Sequence, residues 1–526
     1  MKTLIMNGQL MDGLGHDPVR ADLLIEGDRI TEIGLLSDTM ADQRIDAENR
    51  IITPGFVDIH RHPDIAVLSD AFGAGEMAQG ITSVVGGNCG LSPVPMNPRY
   101  EQECRAFLAP CLGTGKTRAH DSLDAYFKDA EKKGLQVNLG MLAAAGAIKI
   151  WARGFAAGPF SDDQMDRARS MLCTMLEKGA LGISLGIMYA PECYTTTVEY
   201  IRWLGAAGSY GRPLCCHIRG EGNSLPASVQ EVIEIGRAVG LPVHISHFKS
   251  TGIRNWGDLI YQAIELIEKA RASGQDVTAD FYPYDAGAST LLSLVPPELQ
   301  AMGRGENGKK AGGKAFREKL KRALYGPTPG WDNMVQDIGW KRILLSGGQG
   351  VEAFSGMNFE EIAKYMGVED PCDAMCEILA RTGGQAGVVL QSMSEKDIET
   401  VARLPYTFLI SDALYGSGAA HPRQKGAFPR FLREFVPRIL SLPEAIRKMT
   451  SLPADRLGIR NRGRLEKGCY ADIAIFSRAE FEDQATFASP HRPARGMKQL
   501  LLNGETVWKD EEQTGSIAGR VLRAAL

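Results

Sequence analysis

The chain has 526 residues, 44% hydrophobic and 23% charged, and its 59 basic against 63 acidic side chains leave a net charge of -4. This is ordinary globular composition, long enough for two to four domains or for one large α/β barrel with appendages. The charge balance excludes the electrostatic footprint of a nucleic-acid or anionic-membrane binder, so a small molecule is the expected partner.

The N-terminus, "MKTLIMNGQLMDGLGHD", has a short apolar stretch broken by Asn7, Gly8 and Asp12, too brief and too polar for a signal peptide. No stretch approaches the ~20 apolar residues needed to span a bilayer. The expected location is cytoplasmic, with the ten cysteines, which form no CxxC pair, mostly as free thiols. The first fifty residues alternate short β-like runs with turns, as in "DLLIEGDRITEIG". Apolar strands then alternate with amphipathic helices, the βα signature of a parallel sheet or barrel. Eight strand candidates end in polar residues: "GFVDIHRH", "ITSVVGGNCG", "NLGMLAAAG", "ALGISLG", "PLCCHIRGEG", "PVHISHFK", "DVTADFYPYD" and "YTFLISD".

Eight such units predict a TIM (β/α)8 barrel over residues 54–459, with its active site where the strands end. A Lys-, Arg- and Gly-rich segment including "GRGENGKKAGGKAFREKLKRAL" fits no single βα unit. It reads as an insertion at about 286–344, after strand 7, containing an amphipathic helix with a solvated charged face. After residue 460 the β texture returns in "GRLEKGCYADIAIFS" and "MKQLLLNGETVW". Residues 1–53 and 460–526 are therefore expected to form one small β-sandwich domain together.

In "GFVDIHRHPD", His60 and His62 stand two apart, and alternate strand residues share a face, so the two imidazoles can converge on one metal ion. Either alone reads equally as a solvated histidine. The chain has nine histidines, and five of them (60, 62, 217, 244 and 247) fall in three predicted βα units. His217 and His247 sit where strands open into loops. His244, three residues before His247, should point to the opposite face of a regular strand and reads as structural. Asp412 ends the last strand candidate, and a carboxylate after "TFLI" is costly to bury without a partner or a task. Four histidines and an aspartate at strand ends form a donor set suited to zinc.

With these motifs, and with "GGNCGLSPVP", "HIRGEG", "ISHFKSTG", "YPYDAG" and "HPRQKGAFPRFLREF", the sequence resembles the N-acyl-D-amino-acid deacylases, or D-aminoacylases, of the amidohydrolase superfamily over nearly its whole length. The resemblance implies zinc-dependent hydrolysis of N-acyl-D-amino acids to a carboxylate and a free D-amino acid, by metal-activated water with Asp412 as general base and then general acid. It implies one tight Zn2+ site at Cys89, His217 and His247 and a weaker position completed by His60 and His62. Lys249, Tyr282 and Arg423 match residues associated with the substrate carboxylate, and Arg219 is a further candidate. "GALGISLG" has no lysine for the carbamate bridge that a cyclic-amide hydrolase of the hydantoinase or dihydroorotase kind would use, and the intact donor set argues against a non-catalytic scaffold. The family's HxHDD is here interrupted by Pro63, and "AAAGAIKIW" lacks the histidine often found at the end of strand 3, which leaves the substrate side chain open.

Overall fold

The computed structural model of the chain describes residues 1–115, 119–300, 311–327, 330–416 and 421–525. Its centre is a parallel barrel of eight strands: β1 (Phe56–Asp58), β2 (Ile81–Gly86), β3 (Asn138–Met141), β4 (Ile183–Gly186), β5 (Leu214–His217), β6 (Val243–Ile245), β7 (Val277–Phe281) and β8 (Thr407–Leu409). Each falls within one of the eight candidates read from the sequence. β3 pairs with β2 and continues, past Leu142, into Ala143–Ala144, which pairs with β4. The ring closes beyond the regular strands, where Asp412 N–H donates to His60 O at 2.8 Å and His62 N–H donates to Ala413 O at 2.9 Å. The seam of the barrel thus runs through three of the predicted site residues.

The strands are apolar and buried on both faces, as a parallel sheet wrapped in helices requires. Outside, Leu225–Val239 shows how the sequence sets a helix: Val229, Val232, Ile233 and Val239 form its buried stripe, and Gly240, at φ 72°, ends it in the left-handed conformation. Asp162–Glu177 starts with a capping box in which Ser161 and Gln164 satisfy each other's backbone N–H groups.

Both chain ends build the small β domain. Four strands from residues 2–46 form one sheet, and seven strands drawn from residues 9–54 and 473–513 form the other, sharing a core that includes Ile5, Ile25, Ile52, Ile473 and Leu501. The last residues depart from this plan. Gly519 N–H donates to Leu135 O, Leu139 N–H to Arg520 O, and Leu522 N–H to Leu139 O, so the tail lies along β3 of the barrel.

The insertion is longer than expected. It runs from Gly287–Thr290 to Gly387–Leu390, which pair with each other, and Gly387–Leu390 pairs on its other side with Ile343–Gly347 in an antiparallel sheet. "RILLSGG", read as the end of the insertion, is an edge strand within it, because its partner strand lies more than forty residues further on. The unit has its own core around Phe316, Leu320, Phe359, Met375, Ile378 and Val388. Its amphipathic helix is Lys314–Tyr325, with Phe316, Leu320 and Leu324 buried and Lys314, Glu318 and Lys319 exposed. Residues 301–310 of the basic stretch lie outside the described residues.

Candidate metal centre

At the C-terminal end of the barrel, one cleft is lined by His62, Cys89, His217, His247, Lys249 and Tyr282, with Asp412 beside them. Cys89 Sγ lies 3.3 Å from His60 Nε2 and 3.5 Å from His247 Nε2. Asp412 Oδ1 lies 3.6 Å from His60 Nε2 and 3.3 Å from His62 Nε2. Three overlapping donor groups result among the described residues: His60, Cys89 and His247; His60, His62 and Asp412; and His217, Glu221 and His247. Of the expected tight set, Cys89 and His247 share one of these groups, and His217 and His247 share another. His60 takes the place beside Cys89, while His217 stacks edge-on to His247 at 4.4 Å and faces Met188 Sδ at 3.3 Å.

The donor set fits a zinc ion. Burial drives the Cys89 thiol well above its usual range, and the Asp412 and Asp280 carboxylates push it further, so its thiolate calls for a cation. Burial likewise drives His217 well below its usual range, with neighbouring His247 adding to it, and a neutral imidazole is the form that binds metal. The His62 and His217 Nδ1 atoms are buried without a partner.

The residues are held by local chemistry. Cys89 follows β2 in a loop where Asn88 donates its amide to Ile59 O, Arg61 O and Val85 O, tying the thiol to the His60 strand. The glycines around it serve both bending and close packing: Gly87 and Gly90 are left-handed, at φ 75° and 68°, a Cβ on Gly87 would meet Leu142 O at 2.5 Å, and one on Gly90 would collide with the Glu192 carboxylate. The two acids flanking the histidines clamp the barrel instead of facing the donors. Asp58 accepts from Ser411 and Arg61, and Asp64 accepts from Gly87 N–H.

Two carboxylates escaped the sequence reading. Glu221 Oε1 lies 2.9 Å from His247 Nδ1 and 2.5 Å from Lys249 Nζ. Burial opposes its charge, but Lys249 and His247 outweigh that cost and hold it far below the usual carboxylate range. Asp280 receives His60 Nδ1 at 3.1 Å and His244 Nε2 at 2.8 Å on one oxygen, and the backbone N–H of His247 on the other. Alternation was the signal available for it, since Thr278, Asp280 and Tyr282 share the inward face of β7. The opposite-face expectation for His244 fails because β6 ends at Ile245 and His247, at φ 37°, has left the strand.

Of the substrate candidates, three meet. The Lys249 ammonium and the Arg423 guanidinium lie 5.7 and 4.7 Å from the Tyr282 ring centre. Arg423 Nη1 also lies 2.8 Å from Asp412 Oδ2. Burial works against the charge of Asp412, yet Arg423 and His62 hold it well below the usual range. Arg219 is placed elsewhere: Glu231 takes its guanidinium through two bonds of 2.8 and 2.9 Å, and the Cys193 and Thr195 carbonyls take the rest, so it is a structural tie outside the cleft.

A parallel barrel with thiol, imidazole and carboxylate donors converging at its strand ends is the arrangement of an amidohydrolase, and the amidohydrolase family model matches residues 391–508. Over 524 residues the chain is 30% identical to D-aminoacylase of Alcaligenes xylosoxydans xylosoxydans, covering 99% of this chain and 97% of that one. N-acyl-D-glutamate deacylase of the same organism is 32% identical over 525 residues, at 99% and 96% coverage. Among solved structures, N-acyl-D-glutamate deacylase from Bordetella bronchiseptica, complexed with zinc and a phosphonate mimic of the tetrahedral intermediate, superposes with a TM-score of 0.84 at 29% identity and 99% coverage of both chains. A D-aminoacylase with a TM-score of 0.81, 28% identical and covering 99% of each chain, is described as having a binuclear metal centre with one-metal activation and second-metal attenuation. The chain belongs to the N-acyl-D-amino-acid deacylase family of amidohydrolases.

Proposed function

We propose that the protein hydrolyses the amide bond of N-acyl-D-amino acids, releasing a carboxylate and a free D-amino acid. The observation that carries this is Cys89 converging with His60 and His247 at the strand ends of a chain related over its full length to deacylases. Cys89, His217 and His247 would hold the tight zinc, and His60 and His62 would complete the weaker position. Zinc, when bound, supplies a water of lowered pKa and polarises the amide carbonyl. Asp412 takes the proton from the attacking water and returns it to the departing nitrogen, because an amine leaves only when protonated. Lys249, Tyr282 and Arg423 hold the substrate α-carboxylate, and that carboxylate competes with Asp412 for the Arg423 guanidinium.

The strand 4 sequence "ISLG" offers no lysine for a carbamate bridge, which disfavours cyclic-amide hydrolysis. Fold likeness to dihydropyrimidinase, at 15% identity, concerns the scaffold alone. We place the enzyme in the cytoplasm, where its ten free cysteines stay reduced. No helix among the described residues is long and apolar enough to cross a membrane.

Metal analysis after dialysis, with an assay on paired N-acetyl-D- and L-amino acids, tests the reading. Bound zinc and turnover confined to D-substrates are expected, with Asp412→Asn lowering kcat by about 10²–10⁴-fold. Absence of zinc, or unchanged turnover in Asp412→Asn, defeats it.

A further inference from the structure

A line of hydrogen bonds crosses the barrel interior from the metal centre to the opposite mouth. Cys89 Sγ lies 3.3 Å from His60 Nε2, His60 Nδ1 lies 3.1 Å from Asp280 Oδ2, His244 Nε2 lies 2.8 Å from the same oxygen, and Thr278 Oγ1 lies 2.8 Å from His244 Nδ1. Thr278 lines a cavity at the N-terminal mouth of the barrel with Phe408 and Arg456. His60, His244 and Asp280 are all buried.

Proton placement along this line follows from elementary bonding. An ionised carboxylate only accepts, so His60 Nδ1 and His244 Nε2 must both carry the hydrogen they give to Asp280. This turns His60 Nε2 toward Cys89 and Asp412, 3.3 and 3.6 Å away, the side on which a metal ion would be held. It also leaves His244 Nδ1 as an acceptor, which the Thr278 hydroxyl fills. The His244 ring lies flat on Phe408, with centroids 4.9 Å apart and planes within 1°, so it is held in that orientation. The second oxygen of Asp280 holds the backbone of His247 in its left-handed conformation. One carboxylate thus orients two donors on different strands, and His244 fixes the carboxylate.

We propose that His244 is a positioning residue for the metal centre: it acts through Asp280 to fix the tautomer and direction of His60 and the backbone of His247, with Thr278 fixing His244 in turn. This rests on the zinc-dependent reading above, and zinc binding by the unaltered protein tests that reading separately. The same assay, zinc affinity by competition with a chromogenic chelator, is applied to variants whose zinc-free forms are checked by thermal unfolding. His244→Leu, which removes the donor, is expected to weaken zinc by about tenfold to a hundredfold. His244→Gln, whose amide can still donate to Asp280, should bind nearer to the unaltered protein than to His244→Leu.

Thr278→Val should cause a smaller loss that vanishes in the His244→Leu background, because groups acting as one unit are not additive. A simple packing role would give neither the rescue by Gln nor the vanishing increment. Unaltered zinc affinity in His244→Leu, or a Thr278→Val loss that adds in full, overturns the proposal. If His244→Leu does not fold, Thr278→Val alone decides, and unchanged zinc affinity in that variant overturns it.

Discussion

Cys89, His247 and Asp412 share a left-handed backbone, with φ of 54°, 37° and 48°, which side-chain-bearing residues rarely adopt. Each such position costs on the order of 1–3 kcal/mol and persists only where its surroundings over-determine it. Here they do: Asn88 ties down the cysteine loop, Asp280 holds the His247 N–H, and His60 O receives the Asp412 N–H. The strain turns three side chains off their strands toward one point. Behind Cys89, Glu192 accepts from Gly186 N–H and Tyr200 O–H while buried, and burial pushes its carboxyl up to about 7.

In the unfolded chain that carboxyl titrates near 4.5, so between 4.5 and about 7 the fold binds the extra proton and stability falls as pH rises. Glu192→Gln keeps an acceptor for Gly186 N–H, lets its amide donate to the Tyr200 hydroxyl oxygen as a protonated carboxyl would, and removes this dependence. Relative to the unaltered protein it should gain nothing at pH 4 and roughly 3 kcal/mol at pH 8, read from denaturant unfolding at both pH values. An equal difference at both would show that Glu192 does not titrate in this window.

At the scale of elements, the site is a property of strand ends. β1, β2, β6 and β8 each deliver a donor just past their last regular residue, where the ladder no longer fixes side-chain direction, and β5 delivers His217 as its last residue. The inserted unit walls the cleft with Ala288, Ser289, Ser293, Met334 and Leu390 while keeping a core of its own. It should therefore unfold locally before the barrel does. Leu320→Ala removes a fully buried side chain from that core and should cost about 2–5 kcal/mol, read as faster hydrogen exchange confined to residues 287–390. Exposed Lys319→Ala on the same helix should change stability by under ~0.5 kcal/mol. Exchange that rises equally in the barrel strands would show one cooperative core instead of two.

For the whole molecule, the chain ends are what join the layers. The small domain passes directly into β1 through Gly55, where a Cβ would collide with Thr82. The tail returns to the barrel through backbone bonds to Leu135, Leu139 and Gly179, and buries Leu522 and Ala524. Removing residues 516–526 should destabilise the barrel by roughly 2–5 kcal/mol, since each net hydrogen bond contributes about 0.5–1.5 kcal/mol. A lower Tm, with increased exchange at β3, is the expected result. An unchanged Tm would show that the tail only rests on the barrel.

The eight barrel strands were legible in the sequence, because buried parallel strands and their polar ends leave a local pattern that needs no partner to read. His60 and His62 were legible as a spaced pair following an apolar run, and Cys89 through the glycine-flanked motif that resembles the deacylases. Tertiary structure alone decided which donors group together. It set His60 beside Cys89, sent Arg219 to Glu231, extended the insertion to Leu390, and brought Glu221 and Asp280 in behind the histidines. These depend on contacts between residues far apart in the chain and on left-handed turns at strand ends. Period-two alternation stops at that point, so the direction of His244 relative to His247 was fixed only when β6 met β7 across the barrel.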